Sequence, residues 1–236
     1  MKFDAVKGFH QIALDEESIP LTTFMVADLG KFSYARAPLG LSSSGDVFCQ
    51  RVDAALEGLD GFMKIIDDII IFGPSLNVVL ERAEKVLKRC QDFNITLSRE
   101  KAQIGESVKF AGFIVSAKGI SPDPDKLRAL REFPVPTNLT TLRSFLGLAN
   151  YLGGFIPNLS QTTSELRGLL KKNVGWSWLD EHQLCFEKTI KTLMNYTVLE
   201  HYNPNVMCKL LTDASNLNGI GFALIQKDDD NRTRVI

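Results

Sequence analysis

The sequence predicts an α+β fold: a split βαβ, ferredoxin-like antiparallel sheet with helices on one face, then a helical unit, then a shorter αβ segment. Three observations carry that expectation. Over residues 1–120, short β-branched runs alternate with two long stretches of helical periodicity. After SPDPDK the chain turns wholly helical, and beyond residue 180 one further helix precedes two strand-like runs. A hydrophobic fraction of 44% in 236 residues suffices for one large core or two to three small ones.

Taken in order, strands are expected at 2–6, 22–27, 31–36, 62–67 and 69–72, where alternation and β-branched content are highest. A helix over 43–59 places Val47, Val52, Ala55, Leu56 and Leu59 on one side, and a second helix covers 76–93. Further strands are expected at 108–116 and 119–120. Asp123 or Asp125 can cap a helix running to residue 133, which Pro134 and Pro136 then stop. Helices over 140–155 and 161–171 complete a three-helix unit, and 175–178 reads as a connector. The last helix, 180–195, leads into strands at 207–213 and 219–226, with DDDNR (228–232) as a hairpin turn. One helix and two strands bury too little for a complete domain, so this final segment is expected to be incomplete.

Charge excludes little. Lys plus Arg number 27 against 28 Asp plus Glu, so the whole chain offers no general attraction for a polyanion. Residues 121–173, however, carry seven basic side chains against four acidic ones, which suits either a polyanion-facing surface or a solvated helical face. Cys49, Cys90, Cys185 and Cys208 stand singly, without a CxxC pair or a histidine at zinc-site spacing, and read as reduced intracellular thiols. The opening MKFDAV lacks the pattern of a signal peptide and no apolar run reaches membrane-spanning length, so a soluble, non-secreted chain is expected.

The stretch MKIIDDIIIFG raises the chemical question. Asp67 and Asp68 sit inside an apolar run, and an unpaired buried carboxylate is strongly disfavoured. One reading is an exposed hairpin turn, a conformation Asp tolerates. The other is a metal site, in which hard carboxylate oxygens hold Mg²⁺ and the ion compensates their charge. That reading needs another carboxylate. Asp4, in the apolar strand FDAV, is the candidate, and side-chain alternation lets only one of Asp67 and Asp68 face it directly.

Seven motifs in order, KFDAVKGFHQIAL, APLGLSSSGDVF, MKIIDDIIIFG, LSREKAQIG, VKFAGFIVSAKGISPDPDK, LRSFLGLANYLGGFIPNLS and LLTDAS, resemble the Pol polyprotein of gypsy-type long-terminal-repeat retrotransposons. The resemblance spans essentially the whole chain. It implies a reverse transcriptase palm with partial fingers at 1–120, thumb helices at 121–173, and a connector with the start of a ribonuclease H-like domain at 174–236. It implies Mg²⁺-dependent, template-directed addition of deoxynucleoside triphosphates to a primer 3′-hydroxyl, with RNA or DNA as template and Mn²⁺ as a possible substitute.

The resemblance also implies roles. Asp4, Asp67 and Asp68 match the catalytic carboxylates, with Asp4, Asp67 and the Ala5 carbonyl as metal contacts. Phe9 matches the aromatic gate under the incoming sugar; as a residue it reads equally as core. Leu39 and Gly40 match nucleotide and template contacts, Lys101 a lysine near the departing pyrophosphate, and Phe110, Ala111, Gly112 and Phe113 the primer grip. Asp213 matches the first ribonuclease H carboxylate. Two departures stand out: Ile65 where the family usually has tyrosine, and Gly45–Asp46 where a proline-containing pair is usual. The resemblance further implies other Pol and Gag segments as partners, no membrane, and a cytoplasmic virus-like particle with a nuclear phase. Most of the fingers and the remaining ribonuclease H carboxylates match nothing here, so polymerisation by this chain alone is doubtful and ribonuclease H activity is not expected. The alternative is a decayed or co-opted module of the same ancestry that binds nucleic acid or protein without catalysis. A cyclase-like enzyme on the same sheet fits less well, because it has no use for the thumb-like motif.

Overall fold

The central run MKIIDDIIIF folds back on itself. β4 (Phe62–Ile65) and β5 (Asp68–Ile71) form an antiparallel hairpin, and β1 (Lys2–Asp4) pairs with the other edge of β5, giving the order β1-β5-β4. β5 is the middle strand, and Ile69, Ile70 and Ile71 are all buried where a half-exposed strand would alternate. In this computed structural model the described residues are 1–156, 158–195, 198–215, 219–227 and 233–236.

Two helices cover one face of that sheet. α1 (Ser44–Leu56) and α2 (Leu76–Asp92) contribute Phe48, Val52, Ala55 and Leu56, and Ala83, Val86 and Cys90, to a core with Ile69 and Ile71. Ser75 caps α2 by accepting from the Val78 N–H. The chain after α2 returns along the free edge of β1: Ser98 donates to the Asp4 carbonyl at 2.7 Å, and Lys2 and Gln103 exchange two backbone bonds. β2 (Phe24–Val26) and β3 (Gly30–Phe32) form a separate hairpin, and β6 (Ser107–Phe110) ends this part of the chain.

The chain divides into two compact units, Met1–Ala111 and Gly112–Ile236. In the second, β7 (Phe113–Ser116) and β8 (Gly119–Pro122) form a hairpin followed by α3 (Pro124–Arg131), capped by Asp123, and α4 (Leu139–Tyr151), which opens with an Asn138–Thr141 capping box. α4 stops before Gly153–Gly154, and a 3₁₀ turn carries the chain to Phe155. Where a single helix is expected over 161–171, the structure has two, α5 (Leu159–Thr162) and α6 (Ser164–Gly168). The break falls at buried Thr163, whose hydroxyl donates back to the Leu159 carbonyl and accepts from Arg167 Nε.

α7 (Asp180–Met194) joins the same core as α3 and α4: Phe186 lies 4.6 Å from Phe145, ring centre to ring centre, and Leu193 is fully buried. Residues expected from sequence to belong to separate thumb and ribonuclease H-like segments thus share one hydrophobic cluster. β9 (Cys208–Ser215), β10 (Gly219–Lys227) and β11 (Thr233–Val235) form an antiparallel sheet in the order β11-β10-β9. The turn expected at 228–232 lies outside the described residues. Among the described residues no helix is long and apolar enough to cross a membrane.

Candidate active site

Register decides which carboxylates meet. Asp4 on β1 stands directly opposite Asp68 on β5, while Asp67 occupies the β4–β5 turn together with Ile66. Residues directly opposite in an antiparallel pair share a face, so Asp4 and Asp68 project to the same side of the sheet. The strand expected to run to Asp67 ends at Ile65, and the turn begins one residue earlier than the aspartate pair. Ile66 adopts φ +53°, a strained conformation for a β-branched side chain. The Ala5 N–H donates to the Asp67 carbonyl at 2.8 Å, which ties the peptide after Asp4 to the turn.

Charge compensation comes from two lysines. Lys101 Nζ lies 2.9 Å from Asp4 Oδ1, and Lys2 Nζ lies 2.8 Å from Asp68 Oδ1. The hydrogen bond that Lys101 donates to Asp4 holds its ammonium above the ordinary lysine range, followed by the charges of Asp4, Asp67 and Asp68. One ammonium therefore feels all three carboxylates. Among the described residues no three His, Cys, Asp or Glu side chains converge into a ready-made metal cage. The donors still fit Mg²⁺, which is usually held by one or two carboxylates plus waters and substrate phosphates rather than by an all-protein cage. The Asp4 and Asp68 side chains are only 14% and 20% exposed, a setting in which carboxylates demand nearby positive charge.

Residues 1–115 match the family described as reverse transcriptase (RNA-dependent DNA polymerase). Residues 1–115 belong to the reverse transcriptase family. Residues 178–236 match the RNase H-like domain found in reverse transcriptase. The chain is 31% identical over 235 residues to the retrovirus-related Pol polyprotein from transposon 412 of Drosophila melanogaster, covering 98% of this chain and 19% of that protein. It is 32% identical over 217 residues to the enzymatic polyprotein of cauliflower mosaic virus (strain NY8153), covering 91% and 32% respectively. The chain thus spans a fifth to a third of the length of these relatives. A foamy viral protease-reverse transcriptase solved in complex with double-stranded DNA shares the fold at a TM-score of 0.85 and 22% identity, over 99% of this chain and 42% of that one. Reverse transcriptases generally use divalent metals.

The other residues singled out in the sequence fall as follows. Phe9 lies in a 3₁₀ turn (Gly8–Gln11), half-buried, with its ring edge-on to Phe48 at 6.3 Å. Leu39 is 77% exposed and Gly40 has φ +99°, in the loop before α1. Phe110 is buried, Ala111 and Gly112 both have positive φ, and the division between the two units falls inside this turn. Phe113 stacks on Tyr151 at 5.0 Å with the rings parallel. Asp213 is exposed on β9, opposite Gly221. Two neighbours of these residues went unread in the sequence. Lys2 could have been found, because it lies two residues before Asp4 and alternation puts both on one face. Gln11 could not: its amide bonds Thr96 N–H at 2.9 Å, Thr96 O at 3.0 Å and Val6 O at 2.7 Å, a brace behind the Asp4 strand that no periodicity signals.

Proposed function

We propose that this chain carries the polymerase site of a gypsy-type retroelement reverse transcriptase, adding deoxynucleotides to a primer 3′-hydroxyl on an RNA or DNA template. The pairing of β1 with β5, which sets Asp4 against Asp68 with Asp67 beside them in the turn, is the observation that carries this reading. Asp4 and Asp67 hold the cations, with the Ala5 carbonyl adjoining, and Asp68 sets the local charge. When bound, two Mg²⁺ or Mn²⁺ ions activate the attacking hydroxyl and stabilise the leaving oxygen. Phe9 sets the space under the sugar, and Leu39 and Gly40 meet nucleotide and template. Lys101, a protonated side chain beside Asp4, reaches toward the departing pyrophosphate. The turn from Phe110 to Phe113 positions the primer end. The basic surplus of residues 121–173 follows the duplex phosphates, an attraction that added salt weakens. Asp213 is the ribonuclease H counterpart. The setting is that of other Pol and Gag segments in a cytoplasmic particle, with a nuclear phase.

Primer extension by the 236-residue chain with Mg²⁺, run beside Asp67→Asn, tests the proposal. Loss of one preorganised electrostatic partner typically lowers turnover by about 10²–10³, and a fall of that size is expected. Extension that survives the substitution would sink the site assignment. Duplex binding without any extension would favour the non-catalytic module, for which Ile65 in place of the usual tyrosine already speaks.

A further inference from the structure

We infer that Lys2 is a positioning residue that holds Asp68 out of the cation site, leaving Asp4 and Asp67 to bind metal; this rests on the metal-site reading above. The three carboxylates are not equivalent. Asp67, among the described residues, has no ion-pair partner within 4.0 Å. Asp4 is paired with Lys101, whose side chain is 67% exposed on a turn. Asp68 is paired with Lys2, whose side chain is 13% exposed.

Register explains the geometry. Lys2 and Asp4 are alternate residues of β1 and so share a face, and Asp68 stands opposite Asp4 on that same face. Lys2 reaches diagonally across one pair to Asp68, a span within reach of a long side chain. Its backbone is fixed on both sides, by β5 and by Gln103. In the Asp4–Lys101 pair the lysine is open to water, which screens the pair and lets the ammonium swing away when a cation arrives. A shielded pair is not given up easily, because removing one partner strands the other charge. Lys101 therefore yields its carboxylate to metal, whereas Lys2 keeps Asp68.

The charge at the site follows. With Lys2 in place the cations meet the net charge of two carboxylates; without it they meet three, one of them newly free to turn toward them. Mn²⁺ binding to the full chain, followed by electron paramagnetic resonance without nucleotide, reads this directly. Lys2→Met should tighten Mn²⁺ about tenfold, the order of effect a unit charge exerts on a divalent ion about 6 Å away through a water-like medium. Lys2→Arg should restore the wild-type value, and Lys2→Met with Asp68→Asn should return to near it. Unchanged or weaker binding in a Lys2→Met protein with wild-type circular dichroism would overturn the inference. Lysine acylation of the unaltered protein supplies a second readout that does not depend on a variant folding. Mn²⁺ should raise the labelling of Lys101 and leave Lys2 protected, and labelling of Lys2 that rises with Mn²⁺ would equally overturn it. Asp67→Asn separates the two levels of the argument: Mn²⁺ affinity indifferent to that change, or no Mn²⁺ binding by the unaltered chain, would remove the metal site itself and the inference with it.

Discussion

At the residue scale, two positions carry properties that their side-chain type alone does not reveal. Gly112 has φ +78°, and a Cβ there would collide with the Tyr151 hydroxyl. Gly112→Ala should therefore lower stability in urea denaturation by about 1–3 kcal/mol, the usual range for a side chain forced into that region. Gly154→Ala, where an added Cβ meets open space, should stay within about 0.5 kcal/mol of the wild type. Equal losses at both would mean that neither the conformation nor the tyrosine matters. Cys90, on the buried face of α2, is 2% exposed, and burial pushes its thiol up from 9.0 to about 11. A buried thiol with a raised value favours the folded state most at low pH. Its contribution is full below the unfolded value near 9.0 and is lost as pH climbs toward about 11. Thermal stability should fall across that window, and Cys90→Ala, less stable at neutral pH, should fall less steeply there. Iodoacetamide at pH 8 should label exposed Cys208 well before Cys90.

At the scale of elements, the parts of the fold that local chemistry dictates were legible and the parts set by long-range packing were not. α2 and α4 fall close to the helices expected at 76–93 and 140–155, whereas their caps, Ser75 and Asn138, were seen only in the structure. The run 69–71 was legible as a strand, but its central place between β1 and β4 and the burial of all three isoleucines come from the pairing. The turn before it was displaced by one residue, since it puts Ile66 at positive φ, a conformation that propensity assigns to Gly, Asn or Asp. The α5–α6 break depends on Thr163 turning its hydroxyl back on the helix, which spacing does not encode. The sequence singled out the carboxylates and Lys101, which the structure sets beside Asp4, but the pairing of Asp4 with Asp68 and of Lys2 with Asp68 needed the register. Capping offers a direct test at this scale. Asn138 accepts from the Thr140 and Thr141 N–H groups at 3.0 and 2.9 Å, so Asn138→Ala should cost about 1 kcal/mol in denaturant, with Asn138→Ser close to wild type. An alanine variant as stable as the parent would mean that water satisfies those donors equally well.

At the scale of the whole molecule, two hydrophobic clusters with no residue in common underlie the two compact units. Phe48 anchors the first, against the sheet that bears the aspartates, and Phe145 anchors the second, between α3, α4 and α7; both are fully buried. Truncating a buried phenylalanine costs about 3–5 kcal/mol, enough to shift a melting transition by many degrees. If each cluster is its own cooperative unit, Phe48→Ala and Phe145→Ala should each lower a different calorimetric transition and leave the other in place. The assignment of α7 to the second cluster sharpens the test, because Leu193→Ala should then move the same transition as Phe145→Ala. A single transition shifted alike by all three would mean that the clusters unfold together. Separate transitions would place the sheet that bears Asp4 and Asp68 and the helical cluster under independent thermodynamic control, so a change that loosens α4 should leave the melting of that sheet untouched.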